Sequence, residues 1–264
     1  MARRIAVAAT GEFGADVLER LAAEHDIVQV LTRPDRPRGR GRKTGAPPAK
    51  GAAERLGIPF EQPAKLESSI SLEAETVVVC AYGLLIPNEL LERALWLNVH
   101  PSLLPRWRGA APVERALIAG DEETGVTIHR TVEALDAGPI AAQRAFAIAP
   151  EDDAGAIYAR SAEVAAELLR DVLAQDEPHF EPQPEEGLTY AEKIRPEDRE
   201  LDPNAPAREL VDRVRALSPH IGARLGDLLV WQARVGDDGS FEPLEVQPAG
   251  GRRMAYDAYL RGRR

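Results

Sequence analysis

Asn98 and His100 stand two residues apart at the end of a short apolar run, Leu95-Trp96-Leu97-Asn98-Val99-His100. On an extended backbone, residues i and i+2 project from one face, so the amide and the imidazole reach into the same space. An amide donor beside an imidazole suits two tasks: stabilising an oxyanion as it develops, and moving a proton near neutral pH. The chain then continues as Pro101-Ser102-Leu103-Leu104-Pro105-Arg106-Trp107-Arg108-Gly109-Ala110-Ala111-Pro112, a loop stiffened by proline. A polar strand end followed by such a loop is also ordinary architecture, so the pair alone leaves both readings open. A carboxylate able to orient or deprotonate the histidine has to come from elsewhere. Thr131-Val132-Glu133-Ala134-Leu135-Asp136-Ala137-Gly138-Pro139 supplies Asp136 in a tight loop between two expected strands, where turn chemistry by itself also favours aspartate.

Other chemistries find no support. Gly11 and Gly14 follow an expected strand but do not complete the dinucleotide fingerprint, and no acidic ribose partner follows. Lys43-Thr44 resembles the end of a phosphate loop, but Arg42 stands where glycine is required. There is no G-x-S-x-G elbow and no H-E-x-x-H helix. Five scattered histidines and one cysteine, Cys80, give no expectation of a metal site or a disulfide framework, and a reducing cytoplasm is the expected compartment.

The elements that must position the trio read as an α/β fold. Strands are expected at 5–9, 27–32, 76–81, 95–99, 125–132 and 140–148, and helices at 13–24, 47–56, 87–94, 112–120 and 153–174. That alternation implies a doubly wound, largely parallel sheet whose ligand crevice lies beyond the carboxyl ends of its strands, where strand order reverses. Residues 175–187 turn proline-rich, acidic and aperiodic, which reads as a linker. Beyond it a helix at 207–217 and strand-like runs at 227–235 and 241–246 suggest a small, mainly β domain. The expected division is 1–185 and 186–264. With 264 residues, 44% of them hydrophobic, the chain can bury a sizeable core. No apolar run approaches membrane-spanning length, the start lacks a secretory apolar region, and nothing requires a second copy, so a monomer away from membranes is expected.

The net charge of −10 argues against indiscriminate coating of nucleic acid. The basic residues are concentrated instead. Residues 33–43 read RPDRPRGRGRK, six positive charges against Asp35 alone, and the tail from Arg252 adds five arginines against Asp257. Two local basic patches on an acidic body suggest a polyanionic partner gripped at defined places, although solvated arginine loops would look the same.

The stretch NVHPSLLPRWRGAAPVERALIAGDEETGVTIHRTVEALDAGPI resembles the signature region of the folate-dependent formyltransferases. The resemblance implies Asn98, His100 and Asp136 as catalytic residues, Ser102, Leu103, Leu104 and Pro105 against the folate, and 10-formyltetrahydrofolate as co-substrate. In it, Asn98 and His100 donate to the formyl oxygen while Asp136 sets the protonation of His100 and moves the amine proton. Within that family the basic loop at 33–43, AYGLLIP at 81–87, TYAEKI at 189–194 and VQPAGGRRM at 246–254 are similar to the branch that formylates methionyl-tRNA. By that resemblance Arg36, Arg38, Arg40, Arg42 and Lys43 contact the tRNA. A formyltransferase for a small amine, either an amino-sugar nucleotide or glycinamide ribonucleotide, is the alternative, and it has no evident use for the basic loop. A non-catalytic tRNA-binding module would have no need for the trio. Two features depart from the family pattern: ATGEF stands at 9–13 where the family usually reads close to GTPxF, and the C-terminal domain is too short for a complete oligonucleotide-binding barrel.

Overall fold

The computed structural model describes residues 2–38 and 43–262. In chain order these form β1 (Arg4–Ala9), α1 (Glu12–Ala22), β2 (Asp26–Leu31), β3 (Arg36–Arg38), β4 (Lys43–Gly45), α2 (Pro48–Leu56), β5 (Phe60–Glu61), β6 (Thr76–Cys80), α3 (Asn88–Leu91), β7 (Leu95–His100), β8 (Arg108–Gly109), α4 (Pro112–Ile118), β9 (Glu123–Arg130), β10 (Ile140–Ala147) and α5 (Ala154–Leu173). There follow β11 (Tyr190–Ala191), α6 (Ala207–Leu217), β12 (Ala223–Leu225), β13 (Leu228–Val235), β14 (Phe241–Pro248), β15 (Met254–Ala255) and α7 (Tyr256–Arg261). The chain divides into two units. One comprises Met1–Arg108, Gly125–Ala145 and Ala159–Leu188; the other comprises Gly109–Thr124, Phe146–Tyr158 and Thr189–Arg264.

The first unit is built on a seven-stranded sheet in the order β10-β9-β7-β6-β1-β2-β5. β7, β6, β1, β2 and β5 run parallel, and β9 pairs antiparallel to β7. The central strands are nearly continuous apolar runs, such as buried Val77 to Cys80, because a parallel sheet is covered on both faces. Val17, Leu18 and Leu21 form the buried face of α1, as the helical spacing predicts. Strand order reverses between β1 and β6, and Thr10 Oγ1 donates to the Tyr82 carbonyl (2.8 Å), joining the two loops that leave those strands. Asn98 and His100 leave the sheet one strand further along, where β7 meets antiparallel β9.

The second unit has a four-stranded sheet in the simple order β12-β13-β14-β15. It is one strand short of an oligonucleotide-binding barrel and consecutive in order, consistent with the brevity read from the sequence. Leu210, Val214 and Leu217 of α6 bury against Val230 and Val246. The opposite side of α6 explains why this unit takes in segments 109–124 and 146–158, which the expected boundary assigned to the catalytic domain. Ala216 packs with Val113, Leu117, Ala154 and Ile157, and the buried Arg215 guanidinium donates to the carbonyls of Asp152 (2.7 Å) and Ala149 (2.8 Å). Among the described residues no helix is long and apolar enough to cross a membrane.

Candidate active site

The antiparallel register places Asn98 opposite His129 and His100 opposite Thr127. From this pairing the site assembles. Asn98 Nδ2 donates to Asp136 Oδ1 (3.1 Å) and lies 2.9 Å from His129 Nε2. His129 Nδ1 lies 3.0 Å from the Arg130 carbonyl, which can only accept, so Nδ1 carries the proton and Nε2 is free to accept from Asn98. Both amide hydrogens of Asn98 are therefore held, and the reverse orientation would set its carbonyl oxygen against the Asp136 carboxylate.

His100 is 4% exposed and its Nε2 lies 2.8 Å from the Trp107 carbonyl. That carbonyl likewise accepts, which puts a proton on Nε2 and leaves Nδ1 as the ring's remaining functional position. Nδ1 faces Asp136 Oδ2 at 3.7 Å, too long for a direct hydrogen bond and within ion-pair distance once His100 is protonated. Burial pulls the His100 pKa below the usual 6.5; the Asp136 charge and the Trp107 carbonyl oppose that shift, and His129 adds to it. The resting imidazole is thus neutral at pH 7, beside a carboxylate that favours its protonation.

Asp136 sits in the left-handed region, φ +47°, which asparagine and aspartate tolerate better than most residues. The next turn depends on Gly138: a Cβ there would overlap the Arg130 carbonyl oxygen. Gln183 spans the loop from outside, its Nε2 donating to the carbonyls of Asp136 and Gly138, both at 2.8 Å. Segment 175–187 is therefore not the free linker expected from its composition. Glu181 exchanges two backbone hydrogen bonds with Ile140 (2.7 and 2.9 Å), and Gln183 closes on the Asp136 loop.

The remaining expected site residues divide. Ser102 is wholly buried and its Oγ donates to the Arg106 carbonyl (2.7 Å), so it shapes the loop from within. Pro105 is buried and Leu103 half-buried, while Leu104 lines a cavity of about 410 Å³ with Ile140, Gln143 and Glu181. Arg36 is exposed at the start of a β3–β4 hairpin in which the backbones of Arg38 and Lys43 pair; Arg40 and Arg42 lie outside the described residues. The hairpin's base is fixed by Asp35, which accepts from Lys50 Nζ (2.8 Å) and from Gln62 Nε2 (2.7 Å). Sequence reading missed His129 and Gln183. The alternation of β9 marks His129 as pointing with Thr127, but only the pairing with β7 brings it to Asn98. No local signal reveals Gln183.

Asn98 is held by the side chains of His129 and Asp136, and His100 by the Trp107 carbonyl. An amide and an imidazole at the end of a parallel strand, with a carboxylate from a neighbouring loop, form a compact polar site. The chain belongs to the formyl transferase family, whose model matches residues 3–173. A curated methionyl-tRNA formyltransferase from Halorhodospira halophila is 41% identical over an alignment covering all of this chain and 97% of that one. Another from Heliobacterium modesticaldum is 38% identical, covering 99% and 97%. Among solved structures, methionyl-tRNA formyltransferase from Clostridium thermocellum superposes with a TM-score of 0.65 at 16% identity, covering 94% of this chain and 99% of that one, a likeness of fold.

Proposed function

We propose that this chain transfers the formyl group of 10-formyltetrahydrofolate to the α-amino group of methionyl-initiator tRNA, in the cytoplasm and as a monomer, in support of translation initiation. The observation that carries the reaction is the joining of Asn98, His100 and Asp136 into one site; the choice of acceptor is supported by relatives about 40% identical across essentially the whole chain. Solved structures described as sugar N-formyltransferases share the fold at 16–24% identity, a likeness of fold that gives no support to a sugar acceptor here.

The residues present suit a folate. Leu85 and Leu135, 81% and 64% exposed, offer apolar surface to a planar ring, and Leu135 directly precedes Asp136 in the chain. Leu104, with its neighbouring cavity, would take a further part of the same molecule.

In the reaction the amine nitrogen bonds to the formyl carbon and the bond from that carbon to N10 breaks. A free α-amine titrates near about 8, so positioning matters more than activation. The formyl oxygen gains negative charge as the amine adds. Asn98 Nδ2 meets that charge by turning the hydrogen it gives Asp136 Oδ1 at rest onto the formyl oxygen, while its other hydrogen stays on His129 Nε2; a positioned donor of this kind is worth roughly 10² to 10³ in rate. The proton lost from the amine enters the gap between Asp136 Oδ2 and His100 Nδ1. There it creates an imidazolium, which also faces the oxyanion, and it is then delivered to the departing N10. This sequence reconciles a neutral resting His100 with a role as donor.

Arg36, Arg38, Arg40, Arg42 and Lys43 hold tRNA phosphates. Removing one such phosphate interaction should reduce the slope of log affinity against log salt by roughly 0.7 to 0.9. Replacing Arg36, Arg40 and Arg42 together with serine is expected to weaken methionyl-tRNA binding and flatten that slope while leaving the folate KM unchanged. An unaltered slope in a salt titration would show that the basic loop does not touch the phosphates.

A further inference from the structure

A single side chain, Gln183, hydrogen-bonds both the Asp136 and the Gly138 carbonyls. Its own orientation is fixed from behind. Arg108 donates to Gln183 Oε1 through Nε (3.0 Å) and Nη2 (2.6 Å), so the amide oxygen takes the guanidinium and the amide nitrogen must face the loop. The preceding residue, Trp107, supplies the carbonyl that holds His100 Nε2. One dipeptide thus anchors both partners of the pair: His100 directly and Asp136 through Gln183. The loop needs such an anchor, because Asp136 is held at positive φ and its neighbours 133–135 are exposed.

We propose that Gln183, locked by Arg108, is a positioning residue for the formyl transfer, holding the Asp136 carboxylate at its working distance from His100 Nδ1 and Asn98 Nδ2. The inference rests on Asp136 acting in the reaction. Gln183 donates only to backbone, so its contribution falls on the chemical step and not on substrate affinity.

The test is kinetics of the full chain carrying Gln183→Glu. The glutamate keeps the size and the pairing with Arg108 but has no hydrogens for the two carbonyls. The expected result is a fall in kcat of roughly 10- to 100-fold, the scale set by displacing a reacting group by about 1 Å, with the KM for methionyl-tRNA and for the folate within about twofold of the parent. Arg108→Lys, which cannot reproduce the two-point hydrogen bonding, should fall in the same direction by a smaller factor. If Gln183→Glu folds poorly by thermal melting, Gln183→Met, equally long and without donors, takes its place with the same expectation. An unchanged kcat, or a loss confined to KM, overturns the proposal. Asp136→Asn run alongside separates the two claims: if it is inactive while Gln183→Glu equals the parent, only the positioning role fails, whereas an active Asp136→Asn removes the catalytic reading beneath it.

Discussion

Asp136→Asn is expected to lower single-turnover formyl transfer by about 10² to 10⁴, the range for removing a group that moves a proton in the transition state. The substitution preserves shape, and an asparagine oxygen at 136 can still accept from Asn98 Nδ2, which in the parent lies 3.1 Å from the carboxylate. What disappears is the negative charge, and with it the site that takes up the amine proton. A second consequence follows from the same charge. Asp136 raises the His100 pKa against the opposing effects of burial and His129, so His100 in the variant should titrate lower still, followed through its ring proton by NMR. Transfer within a few-fold of the parent would contradict the role given to this carboxylate.

Gly138→Ala should damage the site as severely, through the backbone. A Cβ at 138 would overlap the Arg130 carbonyl oxygen and lie 2.9 Å from its carbon, and it would crowd His129 Nδ1 at 3.4 Å. No flexible side chain can move aside to relieve a backbone clash. The loop must shift, breaking the bond from the Arg130 amide to the Pro139 carbonyl (2.9 Å) and lifting Asp136 away from both Asn98 and His100. The expected cost is about 1–3 kcal/mol of stability, typical of forced overpacking. It should appear as a melting temperature lowered by several degrees, with transfer reduced as far as in Asp136→Asn. A variant that melts and reacts like the parent would show that the loop has slack the structure does not suggest.

The sequence was most legible where a local rule governs. The i, i+2 spacing of Asn98 and His100 predicts a shared face, and both do reach Asp136 from β7. Proline stands in the first turn of α2 and of α4, and Gly57 closes α2 at φ +68°. Features set by distant partners were not legible. His129 joins Asn98 only through antiparallel pairing, and nothing near residue 129 reveals that pairing. Gln183 lies in a stretch whose prolines and acids have the composition of a linker, yet its amide reaches back 47 residues to the Asp136 carbonyl. The units interleave for a similar reason: the apolar stripes of α4 and the start of α5 announce burial, but not that Ala216 of α6 is what buries them. The state of His100 was also out of reach, since it depends on the Trp107 carbonyl and on burial together.

Labelled formyl transfer from 10-formyltetrahydrofolate should be measured to methionyl-initiator tRNA, to glycinamide ribonucleotide and to nucleotide-linked amino sugars in parallel, with Asp136→Asn as the blank. Efficient transfer to the tRNA is expected, with none above the blank to the small amines, which would also show that the four-stranded C-terminal sheet suffices for tRNA binding. Transfer to a small amine with none to the tRNA would contradict the proposed function, leaving the chemistry of the trio intact and the substrate overturned.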